Sequence, residues 1–459
     1  FLIRTSTRIR DFQLHADTWT NAESFYVQDD FRMVPNLQVN MGLRWDYQQA
    51  YAAGGATYLK LNDFISNTQP RIGMIWDFTG KGKGKLFVNF ARFLETPIPL
   101  DVNVRAGSGG GDVQIDKNFN TDVYSGFTGA RIVPGVRAGD AVGAVNLGAS
   151  PTPTDAGLKP PTVNEFSGGF EYELANDLAL GFRGIYRAQD HVIEDGSFDD
   201  GDNYFLFNPG RRGAGTTEDL ACGDPNIGCF GRARRYYRAI EFTATKRFTN
   251  NYQFIGSYVY SSLIGNYEGL FRNDNGQSDP NITSLFDLVS LLTNLYGRLP
   301  NDRPHQFKFN GTYQTPWKFV ISGNFYAQSG VPFNQLVPHA VYGNNEGFGV
   351  PRGTAIVPLV EPDPNNPNVV ESVGGTRSPF SYNLDLGGYI PIKLGENKQL
   401  RFTVDWFNVF NQQRALTLDQ TFQINSGVSG VPPVANPFFG SGVIFQFPSY
   451  LRLGAKFQF

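Results

Sequence analysis

Four histidines, two cysteines and one acidic loop are the residues of this chain whose types lend themselves to chemistry. His15, His191, His305 and His339 fall in four different segments. A metal centre or an acid–base pair needs a second group held beside the first, and this spacing offers none. No GxSxG, Walker-A or HExxH pattern occurs. The expectation is therefore no catalytic residue, no cofactor, no resident metal and no enzyme. Asp195, Asp199, Asp200 and Asp202 gather hard oxygen ligands of the kind calcium takes. Their spacing does not match an EF-hand loop, and a solvated acidic loop is the other reading. Cys222 and Cys229 lie seven positions apart in a Gly/Asp/Pro-rich stretch. One reading is a small-loop disulfide formed in an oxidising compartment; the other is two unrelated thiols. Zinc would require further Cys or His nearby, and that stretch has none.

With no chemical centre, the weight falls on the elements. Only 18% of the 459 residues are charged, while 14% are aromatic, with 40 Phe and 21 Tyr. Net charge is −3, with no basic block, so nucleic acid is not an expected partner. Mean hydropathy is −0.29. No run approaches the ~18 apolar residues of a spanning helix. Transmembrane strands escape such a scan, because every second residue is polar.

Alternation is the dominant pattern. Leu451, Leu453, Ala455, Phe457 and Phe459 interleave with Arg452, Gly454, Lys456 and Gln458. A period of two places these sets on opposite strand faces. Fourteen segments read this way: 1–14, 23–34, 37–48, 69–79, 84–94, 164–174, 178–193, 235–248, 252–262, 303–315, 317–328, 380–391, 398–410 and 449–459. Arg44, Glu171, Arg183, Asp385, Arg401 and Asp405 are expected on one face, and Trp45, Tyr172, Phe182, Leu384 and Trp406 on the other. Charges facing hydrocarbon cost a few kcal/mol each near the midplane, so the charged set is assigned to a lumen.

Link lengths alternate too. Short links fall at 35–36, 79–84, 175–177, 249–251, 316 and 393–397, and long ones at 49–68, 95–163, 194–234, 263–302, 329–379 and 411–448. Short turns on one rim and long loops on the other predict an all-β, antiparallel transmembrane barrel, with outer-membrane lipid around it. Loops this long are usually functional. Trp19, Tyr204, Phe205, Phe207 and Tyr342 are candidates to stack on a ligand. Asp279-Pro280 reads as a helix start, and Ile282, Leu285, Phe286, Val289, Leu292 and Tyr296 keep helical spacing up to Gly297. That stripe either tucks against the loops or docks a surface protein partner.

The residues also resemble a known family. SFYVQDDFRMVPNLQVNMGLRWDY (24–47) resembles the strand–turn–strand unit of TonB-dependent outer-membrane receptors, in their Oar-like branch. QPRIGMIWDFTGKGKGKLFVNFARF (69–93), PTVNEFSGGFEYEL (161–174), EFTATKRFTNNYQFIGSYVYSS (241–262), NDRPHQFKFNGTYQTP (301–316) and LRFTVDWFNVFNQ (400–412) fit in order. The resemblance implies that residues 1–459 are the C-terminal portion of a 22-stranded barrel in a Gram-negative outer membrane. A plug, a TonB box and the first strands are then expected outside this sequence. It further implies TonB-energised uptake of a scarce ligand. The alternative is a structural or adhesion-type barrel whose loops bind partner proteins or surface layers.

Overall fold

The computed structural model describes residues 2–4, 7–12, 17–52, 54–95, 112–119, 123–125, 131–133, 141–147, 152–198, 204–211, 228–269, 271–276, 283–358, 374–394, 398–424 and 432–458. Thirteen long strands form the wall: β1 (Trp19–Val34), β2 (Leu37–Tyr51), β3 (Thr68–Trp76), β4 (Gly84–Leu94), β5 (Thr162–Ala175), β6 (Leu178–His191), β7 (Arg235–Thr249), β8 (Tyr252–Gly265), β9 (His305–Gln314), β10 (Val320–Gln328), β11 (Ser381–Lys393), β12 (Gln399–Phe407) and β13 (Tyr450–Gln458). Each pairs antiparallel with its sequence neighbours, and Thr57–Leu61 and Gly297–Arg298 bring the sheet to fifteen strands. Because the order is sequential, successive connections must fall on alternate rims. The ends of β11 and β12 at Lys393 and Gln399 therefore lie on the same rim as the 250–251 turn, and the strand ends that lead into the long links lie on the other. Asn250 and Asn251 have φ of 49° and 69°. Two left-handed residues make the tight turn whose twist matches a hairpin. The end strands β1 and β13 do not pair with each other, so the sheet is an open arc among the described residues.

Register fixes the faces, since directly opposed residues share one. Phe170, Phe182 and Phe242 stand side by side on β5, β6 and β7. Their ring centroids are 5.8 and 5.1 Å apart. On the other face Lys85 meets Glu171 at 3.0 Å, and Arg452 meets Asp405 at 2.8 Å. Arg183 pairs with Glu241, and Arg187 with Glu165. Leu384 is opposite Phe325 and Asp385 opposite Asn324, so adjacent residues divide between faces as alternation requires.

Two expectations need correction. Of the predicted strand 1–14, the described residues 2–4 and 7–12 do not join the wall: Leu2–Arg4 pairs with Val123–Ser125, and Thr7–Phe12 with Asp112–Phe119. Period two identifies a strand but does not choose its partner. The segment 279–297 forms no α-helix where it is described. It makes two 3₁₀ turns, Ser284–Phe286 and Val289–Leu292. Single 3₁₀ turns gather residues three apart on one side without building a continuing helix. One α-helical turn, Phe64–Asn67, lies elsewhere, capped by the Asp63 carboxylate, which accepts from the Ile65 N–H.

The buried apolar core sits in the long connections rather than in the wall. Phe207, Phe230, Leu285, Phe286, Leu295, Leu336 and Phe348 pack together there. A second cluster joins Leu59, Leu61, Leu158, Ile193 and Leu206.

Candidate ligand path: a charged wall beneath a packed loop cap

On the polar face, near the long-loop rim, Arg183, Arg187, Arg235, Tyr237 and Glu241 line a cavity of about 420 Å³. Strand alternation delivers these residues, as 183 and 187 on β6, and 235, 237 and 241 on β7, have the same parity. The Arg187 guanidinium lies 5.9 Å from the Tyr237 ring centroid. Glu165 and Glu241 neutralise Arg187 and Arg183. The buried Arg235 Nε has no hydrogen-bond acceptor among the described residues. An unmatched buried donor on a cation favours an anionic or acceptor-rich visitor. Deeper along the same face, Asn310, Thr312, Ser322, Asn324, Asp385 and Asp405 line a larger space of about 600 Å³. The path thus passes from a cationic mouth to an amide- and hydroxyl-rich wall, suited to handing a polar solute between hydrogen bonds.

Above it the loops are locked by a buried ionic knot. Arg272 and Arg352 are fully buried. Asp274 bridges them, with Oδ1 2.9 Å from Arg272 Nε and Oδ2 3.0 Å from Arg352 Nη2. Glu346 accepts from Arg272 at 2.6 Å, and Glu268 pairs with Arg352. The two guanidiniums lie 5.5 and 5.1 Å from the Phe348 ring centroid. Burial pushes Arg352 down to about 9. Gly297 admits the approach, because a Cβ there would stand 2.1 Å from the Arg352 carbonyl oxygen. Nearby, burial holds the Glu194 carboxyl well above the ordinary carboxylate range; its Oε2 accepts from the Thr283 N–H at 2.8 Å.

The sequence candidates separate. His191 Nδ1 is 3.4 Å from Asp190 Oδ2, His305 Nδ1 is 2.8 Å from the Tyr258 hydroxyl, and His339 Nε2 is 3.0 Å from Ser290 Oγ. No metal-ligating cluster occurs among the described residues. His15, Asp199, Asp200, Asp202 and Cys222 lie outside them, and so does the 222–229 pairing; Asp195 belongs to the strand Glu194–Gly196. Trp19 stacks on Tyr51 at 5.2 Å, and the Tyr204 and Tyr342 hydroxyls touch. Phe205 and Phe207 are buried in the loop core, so they do not stack on a ligand. Of the stripe, Leu285 and Phe286 are at 0% exposure and Val289 and Leu292 pack on the same core, while Tyr296 is exposed and Ile282 lies outside the described residues, so its buried part tucks against the loops. Sequence reasoning missed Arg272 and Arg352, because Arg–Asn–Asp and Pro–Arg–Gly in Gly/Asn-rich loops look like solvated turns.

Known proteins resemble this chain. The family described as outer membrane beta barrel domain matches residues 4–64 and 59–430. The chain is 30% identical over 445 residues to the TonB-dependent transporter Oar of Myxococcus xanthus, covering 91% of this chain and 38% of that protein. It therefore spans well under half the length of that relative. The ferric-catecholate import receptor Fiu from E. coli K12 aligns with 96% of this chain and 45% of its own, at 12% identity and a TM-score of 0.49. The FrpB iron transporter from Neisseria meningitidis aligns over 95% and 45%, at 11% identity and 0.49.

Proposed function

The chain belongs to the outer membrane β-barrel family, and on that premise we propose that it is the barrel part of a receptor that imports a scarce ligand under TonB control. The single observation that carries this reading is a wall built for two solvents, with a cationic cavity at the mouth of its polar face. The likeness to the Myxococcus xanthus transporter supports the energised mechanism. In this reading the missing strands close the arc, and a plug outside this sequence contacts TonB and gates the lumen. The chain carries no catalytic role. Arg235, beside the paired Arg187 and Arg183, holds an acceptor-rich ligand at the mouth, and the amide-lined wall passes it inward.

Accumulation of labelled solutes from growth medium by parent, gene-deletion and TonB-deficient cells tests this. Loss of the same solute in both mutants is the expected result, and Arg235→Gln should weaken its capture. Accumulation unchanged in both mutants rules the reading out.

A further inference from the structure

The apolar face of the wall holds a notch that the transport reading does not use. Three rows of side chains cross β4 to β8. Phe90, Phe166, Tyr186, Arg238 and Ser262 form the row nearest the long-loop rim. Val88, Gly168, Gly184, Ile240 and Tyr260 form the next, and Leu86, Phe170, Phe182, Phe242 and Tyr258 the third. The adjacent glycines interrupt a surface of otherwise larger side chains. They open a groove of about 440 Å³ walled by Phe166, Tyr186, Ile240 and Tyr260.

Close approach favours glycine at 168, where a Cβ would stand 3.3 Å from the Phe87 carbonyl oxygen, but not at 184. Neither residue has a left-handed φ. A Cβ at Gly184 would meet nothing nearer than the Gly168 carbonyl oxygen at 3.8 Å. Strand-interior glycine weakens a sheet and packs nothing, so what Gly184 supplies is empty space on the lipid side. Arg238 stands over the groove, its guanidinium 5.7 Å from the Tyr186 ring centroid. It is exposed, and no carboxylate pairs with it among the described residues. It lies three residues inside the outer end of β7, roughly 10 Å from the rim at ~3.3 Å per residue. A cation near the outer interface of a lipid-facing surface is complementary to an anionic group of the lipid itself.

We propose that this notch binds a phosphate-bearing acylated lipid of the outer leaflet, one acyl chain lying over Gly168 and Gly184 and a phosphate on Arg238. The ring faces of Phe166, Tyr186 and Tyr260 clasp the chain, and the Tyr186-backed guanidinium offers a preset fork for two phosphate oxygens. The test uses the full-length protein in detergent micelles, titrated with diphosphoryl lipid A or its dephosphorylated form and followed by native mass spectrometry. The parent should retain the phosphorylated lipid preferentially. Arg238→Gln should weaken that form about tenfold and leave the dephosphorylated form unchanged. Gly184→Leu, filling the groove, should weaken both forms. An unaltered phosphate preference in Arg238→Gln, or parental retention in Gly184→Leu, overturns the proposal. Should Gly184→Leu fail to assemble, the Arg238→Gln result decides.

Discussion

The wall and the loop cap obey opposite burial rules. On the wall, Leu453 is 77% and Phe25 58% exposed, while the polar face carries ion pairs. In the cap, Phe207 and Phe286 are fully buried. The wall leaves its apolar rows for lipid and keeps its charges apart from them by alternation. The cap buries apolar groups from water in the ordinary way, and carries two buried arginines with them. One chain thus holds two folding problems, and the same kind of substitution acts through different physics in each.

The sharpest way to separate them is to break the ionic knot. Asp274→Ala removes the carboxylate shared by Arg272 and Arg352, leaving buried positive charge undercompensated. Breaking a buried pair costs about 3–5 kcal/mol. Proteolysis should open 266–304 and 329–358 while the barrel keeps its heat-resistant gel mobility. A barrel that unfolds along with its cap would show that the two regions are one cooperative unit.

On the wall the lever is polarity by face. Leu386 is opposite Gly323 and Trp406 on the apolar side, near the middle of β11. Leu386→Arg should cost about 2–4 kcal/mol at that depth. Asp385→Asn keeps Oδ1, which accepts from Asn383 Nδ2 and the Asn408 N–H, each at 2.8 Å. Folded yield in lipid vesicles should fall strongly for Leu386→Arg and little for Asp385→Asn. Equal yields would contradict the facing assignment.

These contrasts follow how legible each region is. Period two marks all thirteen long strands, and Gly84–Leu94 has the bounds alternation predicts, because hydrocarbon on one side and water on the other enforce strict sorting. The cap has no such constraint. Phe205 and Phe207 read as lone loop aromatics, yet Phe205 stacks on Phe198 and Phe207 packs on Phe230, in a cluster with Leu285, Phe286 and Phe348 that no local period announces. Arg272 and Arg352 are ordinary loop arginines until Asp274 lies between them. Leu285, Phe286, Val289 and Leu292 have helical spacing, yet two 3₁₀ turns meet the same packing need.

A crosslink is the next effect in size. Cys222 lies outside the described residues, and its bond to Cys229 stands as a proposal. Closing so small a loop restricts the unfolded chain by about 2–3 kcal/mol in the entropy model. Non-reduced protein should resist alkylation at both positions until dithiothreitol is added. Alkylation of both without reductant would leave the cap without that tether.

The smallest effect is a pH slope confined to the cap. Burial raises Glu194 far above its ordinary value of 4.5, and the neighbouring Asp195 and Asp287 charges push it the same way. The folded cap therefore holds this carboxyl protonated after the unfolded chain has released its proton. Its contribution is complete below pH 4.5 and declines as pH rises towards the folded value, where it is lost. The slope for one proton is at most about 1.4 kcal/mol per pH unit. Glu194→Gln keeps an uncharged acceptor for the Thr283 N–H and should flatten that slope. Urea unfolding of the cap, followed by protection of 194–207 from protease at several pH values above 4.5, reads it directly. The wall's own stability should not follow Glu194, since that residue lies in the loops. A slope shared by cap and wall would mean that a buried loop proton stabilises the strands as well, and the two-solvent division would then end at the rim.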